Sequence, residues 1–384
     1  MFDGFLDLAA DPAAVNDLRE ATGRHVAALR SGSHVDRRIV DRVEAAVAAD
    51  PLGSFAFGPD GFATLTAAGS TWPAGRFETP SLGELRKRAA EAGAVPGSAR
   101  LWVLDGTSPA TDIGALQATT AGRPLFQVAS QFNCLESPGP YLACVADYFH
   151  DNTQGPRASV SAFSATLLRH YAAPDVGGGR FVQGSGGRQI DLLADVFGAG
   201  HSPVQSGYLA SHGGMGADRL LAVLEAGFDR IRVGVHDNAP VLLGYDWDGA
   251  VEGERRVGQV FTSTVAGGGY GGSGLLGAAF EPVCRQLLRA AYLGTILAAV
   301  TLRRSPVVLT LIGGGVFGNP VGVIWDAILW AFDKARPVAG TFDVVVNGRD
   351  LVGRLGLPVL LAGVRDRGGA VICLDRDGLV GVDR

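Results

Sequence analysis

The stretch Val307-Val308-Leu309-Thr310-Leu311-Ile312-Gly313-Gly314-Gly315-Val316-Phe317-Gly318-Asn319-Pro320 runs from an apolar, β-branched segment into three glycines. An amphipathic segment, Val321 to Phe332, begins just beyond Pro320. The spacing predicts a buried strand, a glycine loop and a helix, with Pro320 near the first helical turn, where a missing N–H costs nothing. Glycines let backbone N–H groups approach an anion, and a helix N-terminus adds partial positive charge. The expected guest is a phosphate or diphosphate. The alternative is a tight β-α turn whose glycines only permit positive φ.

Outward from this loop, strands and helices alternate. Upstream, a helix is expected from about Glu281 to Leu302, preceded by a strand from Val257 to Val265 and the glycine-rich Gly267 to Gly274. Further back come a strand at Arg100 to Leu104, a short helix at Asp112 to Ala118 and a buried strand at Pro124 to Ala129. A helix follows at Ala158 to Tyr171, with a glycine break at 177–179. Downstream, Phe342 to Val346 supplies a strand and Val359 to Arg384 suggests two closing strands. The pattern predicts an α/β sandwich with sheet between helices. Pro12 to Ala49 reads as helical, and Ser81 with Glu84 forms a capping box before another helix. The texture changes after Pro96-Gly97, so residues 1–99 are expected to form a mainly helical N-terminal extension and 100–384 the main domain. Residues 184–256 are taken as an insertion holding one helix (Ala217 to Ala226), a strand-like Ile231 to Val235 and an apolar run at Val241 to Leu243.

Composition narrows the function. A chain of 384 residues buries a large core. Its net charge of −5 argues against general nucleic-acid binding, since no basic excess exists to displace counterions. All basic residues except Lys87 and Lys334 are arginine. The four cysteines, Cys134, Cys144, Cys284 and Cys373, form no CxxC pair, which suits a reducing cytoplasm. Met1-Phe2-Asp3-Gly4 lacks the basic region of a signal peptide. The most apolar window, Ala290 to Gly315, is broken by Arg303-Arg304 and Pro306, so no membrane span is expected. A cytoplasmic protein is the expectation.

The glycine loop formally fits G-x-G-x-x-G through Gly313, Gly315 and Gly318, which raises a Rossmann oxidoreductase with Asp333 or Asp343 as the ribose carboxylate. Its late position argues against that, because a Rossmann fingerprint opens its βαβαβ unit. No lysine follows a glycine as in a P-loop, and HExxH and G-x-S-x-G are both missing. The histidines are scattered, so neither a metal nor another cofactor is expected.

A second region carries chemistry: Gln127-Val128-Ala129-Ser130-Gln131-Phe132-Asn133-Cys134-Leu135-Glu136, followed by Asp147, His150, Asp151, Asn152, Thr153, Gln154 and Gly155. Amides at the carboxyl end of a strand can bracket sugar hydroxyls, and a carboxylate beside them can orient or activate water. The competing readings are helix capping for Asp151 and Thr153, an ordinary surface acid for Glu136 and a small buried hydrophobe for Cys134.

In this order the two regions resemble a divergent macrodomain, the ADP-ribose-binding α/β/α fold. Asp112-Ile113, Ser130-Gln131-Phe132-Asn133 and Gly313 to Pro320 stand where that family has its Asp-Ile pair, its asparagine-ended strand and its late glycine-rich turn. The helix with Tyr292 and Ala298-Ala299 precedes that turn as in the family. The resemblance covers roughly residues 100 to 350 without the insertion. It implies a three-layer α/β/α sandwich with a mixed central sheet. Asp112 would hold the adenine amino group, unless it only caps its own helix. Asn133 would bond the distal ribose, Gly313 to Gly318 with Asn319 would wrap the diphosphate, and Phe317 would lie against the distal ribose. A longer, acid-rich segment replaces the glycine run that usually follows the asparagine, so the chain looks more like the MavL-type macrodomain hydrolases, which remove ADP-ribose from arginine.

Releasing ADP-ribose breaks a glycosidic bond through an oxocarbenium-like state, which a carboxylate steadies or supplies with activated water. The catalytic candidates are Asp151, Glu136 and Asp147; the ligand-binding candidates are Asp112, Asn133, Thr153, Gln154, Gly155, Asp191 and the loop Gly313, Gly314, Gly315, Val316, Phe317, Gly318 and Asn319. Asp191 and Asp195 would fold over the mouth, or else form one solvated helix face. The expected activity is hydrolysis of mono-ADP-ribose from protein side chains, with arginine linkage favoured; the expected partners are ADP-ribose and an ADP-ribosylated protein. The alternatives are a non-catalytic ADP-ribose reader and a nicotinamide-dependent oxidoreductase.

Overall fold

The computed structural model describes residues 4–30, 37–93, 97–107, 109–175, 177–198, 200–244, 251 and 254–384. Of the stretches read above, Met1 to Asp3, Pro96 and parts of 184–256 lie outside these. The strands are β1 Phe55–Phe57, β2 Ala63–Ala67, β3 Ser70–Glu78, β4 Ala99–Gly106, β5 Leu125–Ala129, β6 Ala173–Pro174, β7 Arg180–Phe181, β8 Gly234–Pro240, β9 Arg256–Thr262, β10 Val307–Leu309, β11 Phe342–Asn347, β12 Val371–Asp375 and β13 Gly378–Asp383. Eleven of them form one sheet in the order β1-β2-β3-β8-β9-β5-β10-β11-β4-β12-β13, and β6 pairs with β7 apart from it. The six strands from β9 to β12 run parallel, with antiparallel partners on both flanks. This is the mixed α/β sheet expected from the alternating pattern.

Two buried glutamines show that the sheet is covered on both faces. Side chains alternate faces along a strand. On β5, Gln127 Nε2 donates to Thr295 Oγ1 at 3.1 Å in the Phe280–Leu302 helix. On β9, Gln259 pairs in register with Phe126 and so points the other way. There its Nε2 donates to Gln117 Oε1 at 2.9 Å and to Ala158 O at 3.0 Å, in the helices on the opposite face. Central strands are buried on both sides, as β-branched runs between helical layers must be. The Phe280–Leu302 helix is long and apolar enough to cross a membrane by length and composition, but its apolar residues are packed in this core.

Several elements differ from the sequence reading. Residues 1–99 hold the expected helices, Val15–Arg30 and Arg38–Ala49, and the Ser81/Glu84 capping box. They also contribute β1 to β3, and β3 pairs antiparallel with β8. Within 184–256, β8 lies in the sheet between β3 and β9, so this strand is part of the main sheet. Val359 sits in a helix, Leu357–Arg365, whose Leu360 and Val364 are buried at helical spacing; only β12 and β13 close the sheet. The helix expected from Ala158 to Tyr171 is two, broken at Ala162.

The N-terminal helices are fastened to the rest by specific contacts. The Val15–Arg30 helix packs on β13, and Arg30 donates to Arg376 O. Glu44 is buried and accepts from Val145 N at 2.8 Å, Ala146 N at 2.9 Å and Tyr171 Oη at 3.0 Å. A buried carboxylate is thereby satisfied by the first amides of the Val145–His150 turn. Removing residues 1–98 would expose the edge of β8 and orphan those amides. The truncated protein is expected to aggregate on expression; a soluble, monodisperse product in size-exclusion chromatography would contradict this.

Candidate active site

The carboxyl ends of three neighbouring parallel strands, β5, β10 and β11, open into a cavity of about 540 Å³. Ligand crevices in open α/β sheets lie at these ends. One wall is the glycine loop. Its start is pinned by a buried hydroxyl: Tyr292 Oη donates to Thr310 O at 2.9 Å and accepts from Ile312 N at 3.1 Å. Gln127 Oε1 accepts from Thr310 N at 3.3 Å. The loop's end is stitched by Asn319, whose N–H donates to Gly313 O at 3.0 Å and whose Nδ2 donates to Val265 O at 2.9 Å. Gly313 has φ +72°, and a Cβ there would meet Thr264 Cγ2 at 2.5 Å, so only glycine fits. Gly315 has open space around an added Cβ.

Between these pins, the amides of Gly313, Gly315, Val316 and Phe317 have no protein acceptor among the described residues. The Val321–Ala339 helix begins directly after. Arg349 and Arg354 line the same cavity, and Arg354 Nη2 donates to Gly314 O at 3.2 Å. Two buried acceptors on this side, Thr310 Oγ1 and Asn347 Oδ1, have no hydrogen-bond partner. Free amides, a helix N-terminus and two guanidinium groups make an anion cradle. At its rim Phe317 meets Tyr270 edge-on at 5.3 Å, and Tyr270 stacks on Tyr208 at 5.0 Å.

The facing wall carries Glu136 and Asp151. Glu136 closes a tight loop after β5 in which Cys134 adopts φ +63°. Gln131 braces the loop, accepting from Ser137 N at 3.0 Å and donating to Ser137 O at 3.2 Å. From beneath, the wholly buried Arg169 donates from Nε to Cys134 O at 3.3 Å, and its guanidinium lies 3.7 Å from the Phe261 ring centroid. Burial brings Arg169 down to about 10, which leaves it charged at neutral pH. The Glu136 N–H donates to Tyr148 Oη at 2.8 Å, itself 2.9 Å from His170 Nε2. Burial, then the Arg169 charge, lowers His170 to about 3, so the ring is neutral.

The Glu136 carboxyl group is held in an unusual state. Its Oε1 is buried without a hydrogen-bond partner. A Cβ on Gly155 would lie 2.3 Å from that oxygen, so the missing side chain at 155 makes room for it. Burial raises Glu136 well above the ordinary carboxyl range, the negative charge of Asp151 adds to the effect, and Arg169 opposes it. Relative to an ordinary glutamate, its setting therefore favours the protonated form. Asp151 is the second carboxylate; its Oδ1 accepts from Thr153 N at 2.8 Å in the turn before the Gln154–Ser161 helix, whose N-cap Thr153 makes no side-chain cap bond, so neither residue caps that helix through its side chain.

The structure thus gathers Glu136, Asp151, Thr153, Gln154, Gly155 and Gly313 to Phe317 around one cavity. Other sequence candidates lie elsewhere. Asp112 is buried; Oδ1 caps its helix at Ala115 N, 3.0 Å, and Oδ2 sits 2.6 Å from Arg157 Nε, which leaves no group for a ligand. Asn133 is 1% exposed, accepting from Leu135 N at 3.0 Å and donating to Gln189 Oε1 at 3.0 Å. Asp147 accepts from Cys144 N at 3.3 Å and lines an adjoining chamber. Asp191 accepts from Leu193 N at 2.8 Å and Asp195 pairs with Arg232, both away from the cavity lining. Gly318 and Asn319 shape the loop without lining the cavity. Asp343, the Rossmann candidate, lies at the opposite end of β11 and pairs with Arg100, while Asp333 pairs with Arg367. Sequence reasoning missed Arg349, Arg354, Asn347 and Tyr270. The glycine-rich context of Tyr270 was the one available signal. Among the described residues no cluster of three His, Cys, Asp or Glu side chains is gathered as for a metal.

No family model matches the chain, and no curated protein matches it. Among solved structures it is similar to poly(ADP-ribose) glycohydrolase from Thermomonospora curvata, at 13% identity over 86% of this chain and 98% of that one, with a TM-score of 0.43. It is also similar to poly(ADP-ribose) glycohydrolase from Deinococcus radiodurans in complex with ADP-ribose, at 13% identity over 76% of this chain and 94% of that one, with a TM-score of 0.43.

The two glycines at the ends of the GGG run should separate stability from binding. Gly313→Val forces a branched side chain into the left-handed region and onto Thr264, which should cost roughly 2 kcal/mol or more and lower the melting temperature. Gly315→Val should leave the melting temperature near wild type while projecting into the cavity and weakening anion binding. Thermal unfolding and calorimetry on both variants check this; equal destabilisation would refute it.

Proposed function

We propose that this protein is an ADP-ribosyl hydrolase that removes mono-ADP-ribose from modified protein side chains. The observation that carries the reading is one cavity with an anion cradle on one wall and two carboxyl groups in different settings on the other, one buried and unpartnered and one hydrogen-bonded to backbone. The free amides of the glycine loop, with Arg349 and Arg354, suit a diphosphate. The aromatic rim of Phe317 and Tyr270 suits a ribose face.

Hydrolysis needs a proton for the leaving group and a base for water. Glu136, whose protonated form is favoured by burial and by the Asp151 charge, supplies the first; Asp151 supplies the second. Water adds to the anomeric carbon as the glycosidic bond breaks, its proton passing to Asp151 while that of Glu136 goes to the departing atom. The products are free ADP-ribose and the unmodified side chain. The N-glycosidic linkage to arginine, the substrate of MavL-type hydrolases, is the one we favour. The guanidinium of this linkage departs as neutral guanidine, which the proton of Glu136 returns to its cationic form.

Incubation with ADP-ribosylated arginine, glutamate and serine peptides tests the reading. Glu136→Gln should bind ADP-ribose with near wild-type affinity and lose roughly 10²–10⁴-fold in kcat on the arginine peptide. Asp151→Asn, which keeps an acceptor for Thr153 N, should behave likewise. In the wild type, activity should fall on the alkaline side as Glu136 loses its proton. Since burial raises that group, the fall should come at a pH well above the ordinary glutamate range, and Glu136→Gln should abolish this limb. Tight ADP-ribose binding without release from any peptide would instead indicate a reader. Hydride transfer with a nicotinamide cofactor would overturn both.

A further inference from the structure

Behind the carboxyl wall lies a second chamber, of about 470 Å³. It shares Glu136, Pro138, Asp151 and Asn152 with the first cavity, so the two spaces meet at the carboxyl pair. Their charge balance differs. Both share Glu136 and Asp151; to these the first cavity adds Arg349 and Arg354, whereas the described residues lining the second add Asp147 and His150 and no arginine or lysine. The buried, unpartnered Oε1 of Glu136 belongs to the shared wall. Tyr141, 50% exposed, provides an aromatic surface at the chamber.

Resting on the hydrolase reading, we propose that this second chamber is the acceptor subsite, which holds the guanidinium of the modified arginine, with Asp147 and Tyr141 as its specificity-determining residues. ADP-ribosyl-arginine is itself a polarised molecule, anionic at the diphosphate and cationic at the guanidinium, with the scissile bond between the two. The pair of cavities has the same order: anion cradle, carboxyl pair, acidic chamber. A guanidinium is planar and weakly hydrated, so it suits a carboxylate on its edge and an aromatic ring on its face. A serine or ester acceptor brings no cation and gains nothing from Asp147.

The test uses the full chain and two probes, Nα-acetyl-arginine amide and its neutral isostere, Nα-acetyl-citrulline amide. With ADP-ribose saturating, the arginine probe should bind by calorimetry and inhibit release, and the citrulline probe should do neither. Asp147→Asn preserves an acceptor for Cys144 N, and Tyr141→Ala removes an exposed side chain; both should keep the wild-type melting temperature and ADP-ribose affinity. Each should weaken the arginine probe at least fivefold and raise KM on the arginine peptide by a similar factor with little change in kcat. KM on the serine peptide should not move. Equal binding of the two probes, or unchanged KM in both variants, would overturn the subsite while leaving ADP-ribose hydrolysis intact. Variant-sensitive binding of the arginine probe without any ADP-ribose affinity would leave the chamber standing and remove the hydrolase reading.

Discussion

The hydroxyl of Tyr292 fixes the point at which a sheet strand becomes a binding loop. By donating to Thr310 O and accepting from Ile312 N, it satisfies two backbone groups that have just left the hydrogen-bond ladder. Buried backbone groups left unpaired would each cost about 1–3 kcal/mol, so the chain could not turn out of the sheet here without such a partner. The residue comes from the helix that packs beneath β10, and the same helix receives Gln127 from β5. The geometry of the glycine loop is therefore inherited from core packing. Its free amides stay rigidly spaced because both ends of the loop are tied to buried groups.

The opposite wall follows the same logic with different parts. Glu136 sits on a loop that turns through a left-handed residue, and that turn is held by a buried cation, an amide bracket and a tyrosine hydroxyl. None of these contacts reaches the carboxyl group itself. The backbone is fully engaged while the acid is left without a partner, and burial, helped by the Asp151 charge and opposed by Arg169, shifts it toward the protonated form. Asp151, whose Oδ1 accepts from Thr153 N, faces the same space. Two acids of similar intrinsic strength thereby stand in different settings.

What could be read from sequence was what depends on local pattern. A β-branched run stopping at glycines specifies a strand and a loop over a dozen residues, and the capping box at Ser81 is a four-residue signal. The polar cluster after β5 was legible because strand ends in α/β folds are where polar groups collect. Asp112, Asn133 and Asp191 stand outside the cavity lining, each engaged by a partner, and two of those partners, Arg157 and Gln189, are more than forty residues away. Sequence shows an available carboxylate or amide, never that it is already spoken for. Arg349 and Arg354 were invisible for the converse reason: β11 brings them to the cavity through strand order alone. The strand read at Ile231 to Val235 was placed too early, because β8, Gly234–Pro240, holds His236, Asp237 and Asn238, poor strand formers that are sustained by Ala74 O and Arg304.

Gly155 has a consequence for how this site could vary among related chains. Its absent Cβ and the Glu136 carboxyl group claim the same volume, one from the start of a helix and the other from a loop. The backbone oxygen of Ala129 lies 2.6 Å from the same point, so a shorter residue at 136 would not by itself admit a side chain at 155. Glycine is held there by the end of a core strand as well as by the acid. A substitution at 155 would therefore have to move the strand end itself, which ties the room for the carboxyl group to the sheet and not to its own loop.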